Sequence, residues 1–212
     1  MFRLDHGYSF GIKKDISNPV EYLDDQECVY ICGHQLVKLD VDSKTQQVVQ
    51  CSPDARRVTA LAVSQTRRVT AFAESFEGRL PSITIIDWTV RGKRQRRVLS
   101  DVDVGSNEIM SMQFAVDTKY MVIQGGEPSW GLTYLLWEKP KVAAQYKNVG
   151  SQSSQVNQAD SHSFDSSVAL VTGNGFLRMF RLAEDVLKPL AVRRHFLACI
   201  YNDLVLQTLP FV

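Results

Sequence analysis

The sequence predicts an all-β protein, a β-propeller of about four blades that is incomplete or open, and three observations predict it. Short apolar runs bounded by turn-forming residues recur along almost the whole chain. No stretch sustains an amphipathic helical period with caps at both ends. The runs also repeat as a group, in a fixed order, at the period of a four-stranded blade.

Taken in order, the runs are 27–31 (ECVYI), 36–41 (LVKLDV), 58–63 (VTALAV), 69–73 (VTAFA) and 83–88 (ITIIDW). They continue at 109–114 (IMSMQF), 120–124 (YMVIQ), 132–137 (LTYLLW), 168–172 (VALVT) and 176–180 (FLRMF). Each is β-branched, aromatic or alternating, with Gly, Pro, Asp, Asn and Ser between them, as strands and hairpins require. The segment 8–13 (YSFGIK) reads as one more strand without an obvious neighbour. The polar tract 148–161 reads as the longest loop, a connection or a place for partner contact or phosphorylation.

The grouping is visible when 58–74 (VTALAVSQTRRVTAFAE) is set beside 109–125 (IMSMQFAVDTKYMVIQG). Both read as an alternating strand, a small-residue turn, a basic residue and a second strand. A Gly/Pro-containing hairpin follows in each, then a third strand that closes on Trp88 or Trp137. A weaker copy runs through 161–180 with Phe180 in place of the tryptophan, and an earlier one through 21–41 closing at Asp40. The markers recur at about 40 to 50 residues, the blade period. Blades are expected at 8–50, 51–99, 100–147 and 148–190, with 191–212 starting another. A β-sandwich with similar hairpins would not keep the order of the copies, so the propeller is preferred. A blade cannot cover both of its faces alone, and a terminal aromatic suits a wedge between neighbouring blades.

Composition removes several function classes. With 24 Lys and Arg against 23 Asp and Glu, the chain has no global charge that would draw nucleic acid or an anionic membrane. No window approaches the roughly 20 apolar residues of a membrane-spanning helix. The opening MFRLDHGYSFGIKKD lacks the apolar run of a signal peptide, and Cys28, Cys32, Cys51 and Cys199 are expected as reduced, intracellular thiols.

Longer phrases carry a family resemblance. The segment FGIKKDISNPVEYLDDQECVYICGHQLVKLDVDSKTQQVV resembles the first blade of the cilia- and flagella-associated protein 57 family, axonemal WD-repeat proteins. VTALAVS, PSITIIDW, KRQRRVL, YLLWEKPKV and VTGNGFLRMFRLAEDVLKP follow in the family's order, and the resemblance covers roughly residues 8 to 190. It implies a WD40-like propeller that continues into a coiled coil and is built into the cytoskeleton of the motile cilium or flagellum. There it would act as a scaffold on doublet microtubules, docking inner dynein arms and dynein regulatory components. It implies no catalytic residue and no cofactor.

The local features are weighed against that background. The run Arg91-Gly92-Lys93-Arg94-Gln95-Arg96-Arg97 holds five basic residues in seven. It reads as a solvated rim connection, or as a docking patch for tubulin or another acidic axonemal partner. A nuclear or RNA-associated WD-repeat module is the alternative, disfavoured because no aromatics are interleaved for base stacking. Trp130, in the hairpin GGEPSWG, is either tucked against its own blade or an exposed partner anchor. Arg91, Lys93, Arg94, Arg96, Arg97 and Trp130 are therefore the partner-binding candidates.

Catalytic and metal chemistry find no support in the sequence. On one strand Cys28 and Cys32 would lie about 13 Å apart, too far to share a zinc ion. Four histidines and many serines assemble no recognisable nucleophile motif, and Thr172-Gly173-Asn174-Gly175 is a hairpin turn rather than a phosphate loop. The chain is expected to be non-enzymatic.

Length is the remaining constraint. At about 45 residues per blade, 212 residues hold four blades and a little, fewer than the roughly seven that the resemblance implies. The expectation is a fragment, a truncated product, or an arc completed by self-association or a partner chain at its open edge.

Overall fold

A computed structural model describes residues 8–90, 95–150 and 155–191. Among them are four antiparallel sheets of four strands each and no α-helix. The first sheet is β1 (Val20–Tyr22), β2 (Glu27–Cys32), β3 (Gln35–Asp40) and β4 (Gln46–Gln50). The second is β5 (Arg57–Ser64), β6 (Val69–Ser75), β7 (Ser82–Asp87) and β8 (Arg96–Leu99). The third is β9 (Ile109–Phe114), β10 (Tyr120–Gly125), β11 (Leu132–Leu136) and β12 (Lys141–Tyr146). The fourth is β13 (Val156–Ser161), β14 (Val168–Gly173), β15 (Phe176–Ala183) and β16 (Val186–Leu190).

In every sheet the strands lie side by side in chain order. The first strand of each sheet packs on the first strand of the next, so β1, β5, β9 and β13 run along one inner side. This is an open propeller of about four blades.

Both faces of the middle sheets are covered, which explains their continuous apolar runs. Met121 and Ile123 point into a core shared by the first three sheets, with Leu23, Ile31, Phe72 and Ile83. Val122, between them on β10, points the other way into a second core with Tyr134, Ala159, Val171 and Phe180. Alternation along one strand therefore serves two interfaces at once.

The inner strands share a local device. Thr59, Met110 and Asn157 each form the extra residue of a β-bulge at the same place in β5, β9 and β13. A bulge bends its strand and increases its twist. The three-residue β1 pairs with β2 without one.

Register corrects the choice of repeat markers. Glu27, Val69 and Val168 open the second strands and pair with Asp40, Asp87 and Arg181. The next amides then close back: Val41 N–H to Gln26 O at 2.8 Å, Trp88 N–H to Arg68 O at 3.1 Å, Leu182 N–H to Ser167 O at 2.7 Å. Leu182, not Phe180, occupies the position of Trp88, and Val41, not Asp40, occupies it in the first sheet. Phe180 lies within β15 and reaches the preceding sheet by a tilted ring contact with Tyr146, centroids 4.8 Å apart.

Two other expectations change. The stretch 156–161, expected in a loop, is the inner strand β13, its polar side chains set along the inner side of the molecule. The stretch 8–13 forms no strand; Ser9 N–H donates to Gln46 Oε1 at 2.7 Å and Lys13 N–H to Ile31 O at 2.9 Å. Beyond 191 the expected further blade lies outside the described residues, as does Cys199.

Candidate docking groove

Arg91, Lys93 and Arg94 lie outside the described residues, so the basic run is represented by Arg96 and Arg97 on β8. Neighbours on a strand point to opposite faces, and these two do. Arg96 reaches back to the first sheet and donates to Gln50 O at 2.7 Å. Arg97 reaches forward to the third and donates to Glu138 O at 2.8 Å. Both are exposed, and among the described residues neither forms an ion pair with a carboxylate. Among the described residues their guanidinium groups donate to backbone carbonyls and not to carboxylates.

Arg97 opens onto a groove of about 560 Å³ between the second and third sheets. Its floor is apolar, made by buried Val69, Ile85 and Trp137. Arg67 forms one wall, paired with Glu138 and with its guanidinium 5.7 Å from the centre of the Trp137 ring. Asp87 is occupied locally, accepting from Thr89 N–H at 2.8 Å and Thr89 Oγ1 at 2.6 Å. Gln95 stands at the rim, where the described part of the basic run begins. Trp137 is fixed by its Nε1–H bond to Thr118 O at 2.7 Å and by an edge contact with Phe114.

The junction before it is built in a similar way. Trp88 donates from Nε1 to Thr70 Oγ1 at 2.8 Å, and Lys38 of the first sheet stands 5.1 Å from its ring centre. Lys38 is held in place by Glu27 at 2.5 Å, and Arg68 binds both Glu27 and Asp24. The Asp24 carboxyl titrates below the usual range because the Gln26 and Glu27 amides and Arg68 favour its anion.

Trp130 takes the tucked one of its two expected placements. It is only 4% exposed and packs in the core between the third and fourth sheets. Its hairpin is drawn onto the preceding connection so closely that a Cβ on Gly125 or Gly131 would meet Val104 O at 2.5 or 2.6 Å. The indole therefore offers no exposed surface to a partner in this conformation.

Residues that sequence reasoning passed over are also fixed by polar bonds. Glu74 is fully buried and accepts from Ser52 N–H at 2.6 Å, Ser52 Oγ at 3.2 Å and Thr84 Oγ1 at 2.7 Å. It ties the connection between the first two sheets to the second sheet. Only a carboxylate inside an apolar strand hinted at it. Burial, reinforced by Glu74, pushes the neighbouring Cys51 thiol up to about 12. Cys28, Cys32 and Cys51 are free, and among the described residues no three His, Cys, Asp or Glu side chains are grouped to hold a metal ion. No helix of the described chain is long and apolar enough to cross a membrane.

Known proteins resemble this arrangement at two levels. No family model matches the sequence. Over 185 residues, 87% of the chain, it is 34% identical to cilia- and flagella-associated protein 57 of Mus musculus. Over 187 residues, 84% of the chain, it is 28% identical to cilia- and flagella-associated protein 57 C of Tetrahymena thermophila. The chain spans 15% and 14% of the length of these relatives. In three dimensions it superposes on a chain of the complex of KlAtg21 with the coiled coil of AgAtg16, with a TM-score of 0.59. That likeness covers 76% of this chain and 51% of the other at 13% identity, and is one of fold alone.

Proposed function

Because the chain belongs to the cilia- and flagella-associated protein 57 family over most of its length, we propose that it is a non-catalytic interaction scaffold of the motile ciliary or flagellar axoneme. The observation that carries this reading is the 34% identity over 185 residues, 87% of the chain. The architecture supports it physically: stacked sheets bonded across their junctions, as by Arg96 to Gln50 O and Arg97 to Glu138 O, make a platform on which a partner can dock. Inner dynein arm and dynein regulatory components, together with the doublet microtubules, are the partners proposed for it. Both relatives bear the name of a ciliary protein and not of an enzyme, which fits a role without catalysis.

A nuclear or RNA-associated module is not favoured. The relatives that the chain matches are named as cilia- and flagella-associated proteins. The test is to express the tagged protein in multiciliated cells and extract the cilia with detergent. Retention with the doublets is expected, whereas signal confined to nucleus or cytosol would overturn the reading.

A further inference from the structure

We infer that the groove between the second and third sheets takes a short acidic segment of a partner protein, lying on Val69, Ile85 and Trp137 and paired through its carboxylates with Arg97 and Arg67. The inference rests on the scaffold reading and supplies the chemistry of one of its partners.

Three features of the groove select that occupant. Its space, about 560 Å³, suits a few residues of extended chain rather than a folded domain. Its charges are unequal in availability. Glu138 is paired with Arg67, and Asp87 is engaged by Thr89, whereas Arg97 has a charge and most of its donors unspent. A guanidinium whose acceptor among the described residues is a peptide carbonyl gains a stronger, charge-assisted bond from a carboxylate. An incoming carboxylate also competes with Glu138 for the exposed Arg67 at little cost, because exposed pairs contribute little.

The same features argue against a nucleic acid strand. Base recognition on a single strand needs a free aromatic face. Trp137 is only 8% exposed, with Arg67 over its ring and Phe114 at its edge. One arginine without a carboxylate partner among the described residues suits one or two side-chain carboxylates better than a run of phosphates.

The experiment uses the 212-residue chain and a fluorescent peptide rich in glutamate, with a glutamine-for-glutamate peptide and a single-stranded RNA as competitors, followed by anisotropy. The parent is expected to bind the glutamate peptide in a salt-sensitive manner. Arg97→Gln is expected to weaken it about tenfold, the effect of one charge-assisted bond. Arg97→Lys retains most of the affinity, and Arg67→Gln loses part of it. Arg79→Gln, which breaks the pair with Asp54 outside the groove, leaves binding unchanged. Unaltered binding by Arg97→Gln, equal binding of the glutamine peptide, or preferential displacement by RNA would each overturn the proposal. Melting curves for all variants separate lost binding from lost folding, with Arg97→Lys as the folded reference. Axonemal retention is measured apart from peptide binding. Ciliary protein that fails to bind the peptide removes the groove alone, and peptide-binding protein absent from cilia removes the scaffold alone.

Discussion

Lys38 of the first sheet holds its ammonium 5.1 Å from the centre of the Trp88 ring in the second. A cation of one sheet thus covers the aromatic that follows the third strand of the next, and Arg67 repeats the relationship on Trp137 at 5.7 Å. Cation–π contacts of this kind contribute about 0.5–1 kcal/mol at exposed sites, and more where water is excluded. They turn the apolar wedge foreseen at these positions into a junction with a charged outer surface.

The indole nitrogen of Trp88 can be tested separately from its ring. Trp88→Phe keeps most of the apolar contact with the neighbouring sheet but loses the bond to Thr70 Oγ1. A loss of about 1 kcal/mol is expected in urea unfolding. Thr70→Val should cost a similar amount, and the double variant less than the sum of the two.

Glu74 should be among the most sensitive positions outside the apolar cores. Glu74→Ala removes the acceptor for Ser52 N–H, Ser52 Oγ and Thr84 Oγ1 inside the protein. The expected cost is about 2–4 kcal/mol, since donors left buried lose their bonds to water as well. A midpoint shift no larger than that of an exposed Glu→Ala control, such as Glu77→Ala, would show that the carboxylate is not needed.

Asp160 should destabilise the folded chain at neutral pH. Burial raises its carboxyl above the usual value, opposed by the 2.8 Å bond from Gln158. A raised acid binds its proton more tightly when folded, so its contribution is most favourable at low pH and worsens as pH rises through the folded value. Asp160→Asn is accordingly expected to gain stability over the parent at about pH 7.5 and to gain less at about pH 4.5. Urea midpoints at the two pH values measure this directly, and equal gains would refute the sign. Glu21, on the first inner strand, is raised by burial and then by Asp160, so Asp160→Asn should also bring the Glu21 carboxyl down.

Gly125 is a packing position and not a flexible one. A Cβ there would lie 2.5 Å from Val104 O, a backbone atom that cannot swing aside. Gly125→Ala is expected to cost about 1–3 kcal/mol, the range for overpacking, and to loosen the hairpin that seats Trp130. Trp130 fluorescence and thermal melting would report the two effects.

The parts of the fold legible in the sequence were those whose side chains face a core. β5, β6, β9 and β10 announce themselves because their apolar residues serve one or both interfaces. β13 does not, because Asn157 is exposed, Gln158 and Asp160 are half-buried, and only Val156 and Ala159 are fully buried. Polar residues in such a strand look like loop until neighbouring strands supply its backbone bonds. At position 180 composition offers an aromatic near the marker place, while register is set by backbone pairing that composition does not reveal. At the groove, the arginines were legible as charge, but their separation to two faces and two neighbouring sheets needed the strand assignment of β8. Glu74 was invisible because its donors, Ser52 and Thr84, are distant in the sequence.

The cation-over-ring contacts also give the array a grammar. Lys38 meets Trp88 and Arg67 meets Trp137, but the next sheet answers with Phe180 against Tyr146, and the first offers Val41 where the tryptophans stand. Each junction is thus spelled differently. Exchanging the second sheet with the fourth would set Lys38 against Leu182 and leave Trp88 without its cation. The succession of sheets is written into the contacts that join them, so a permuted chain would need new partners at every seam.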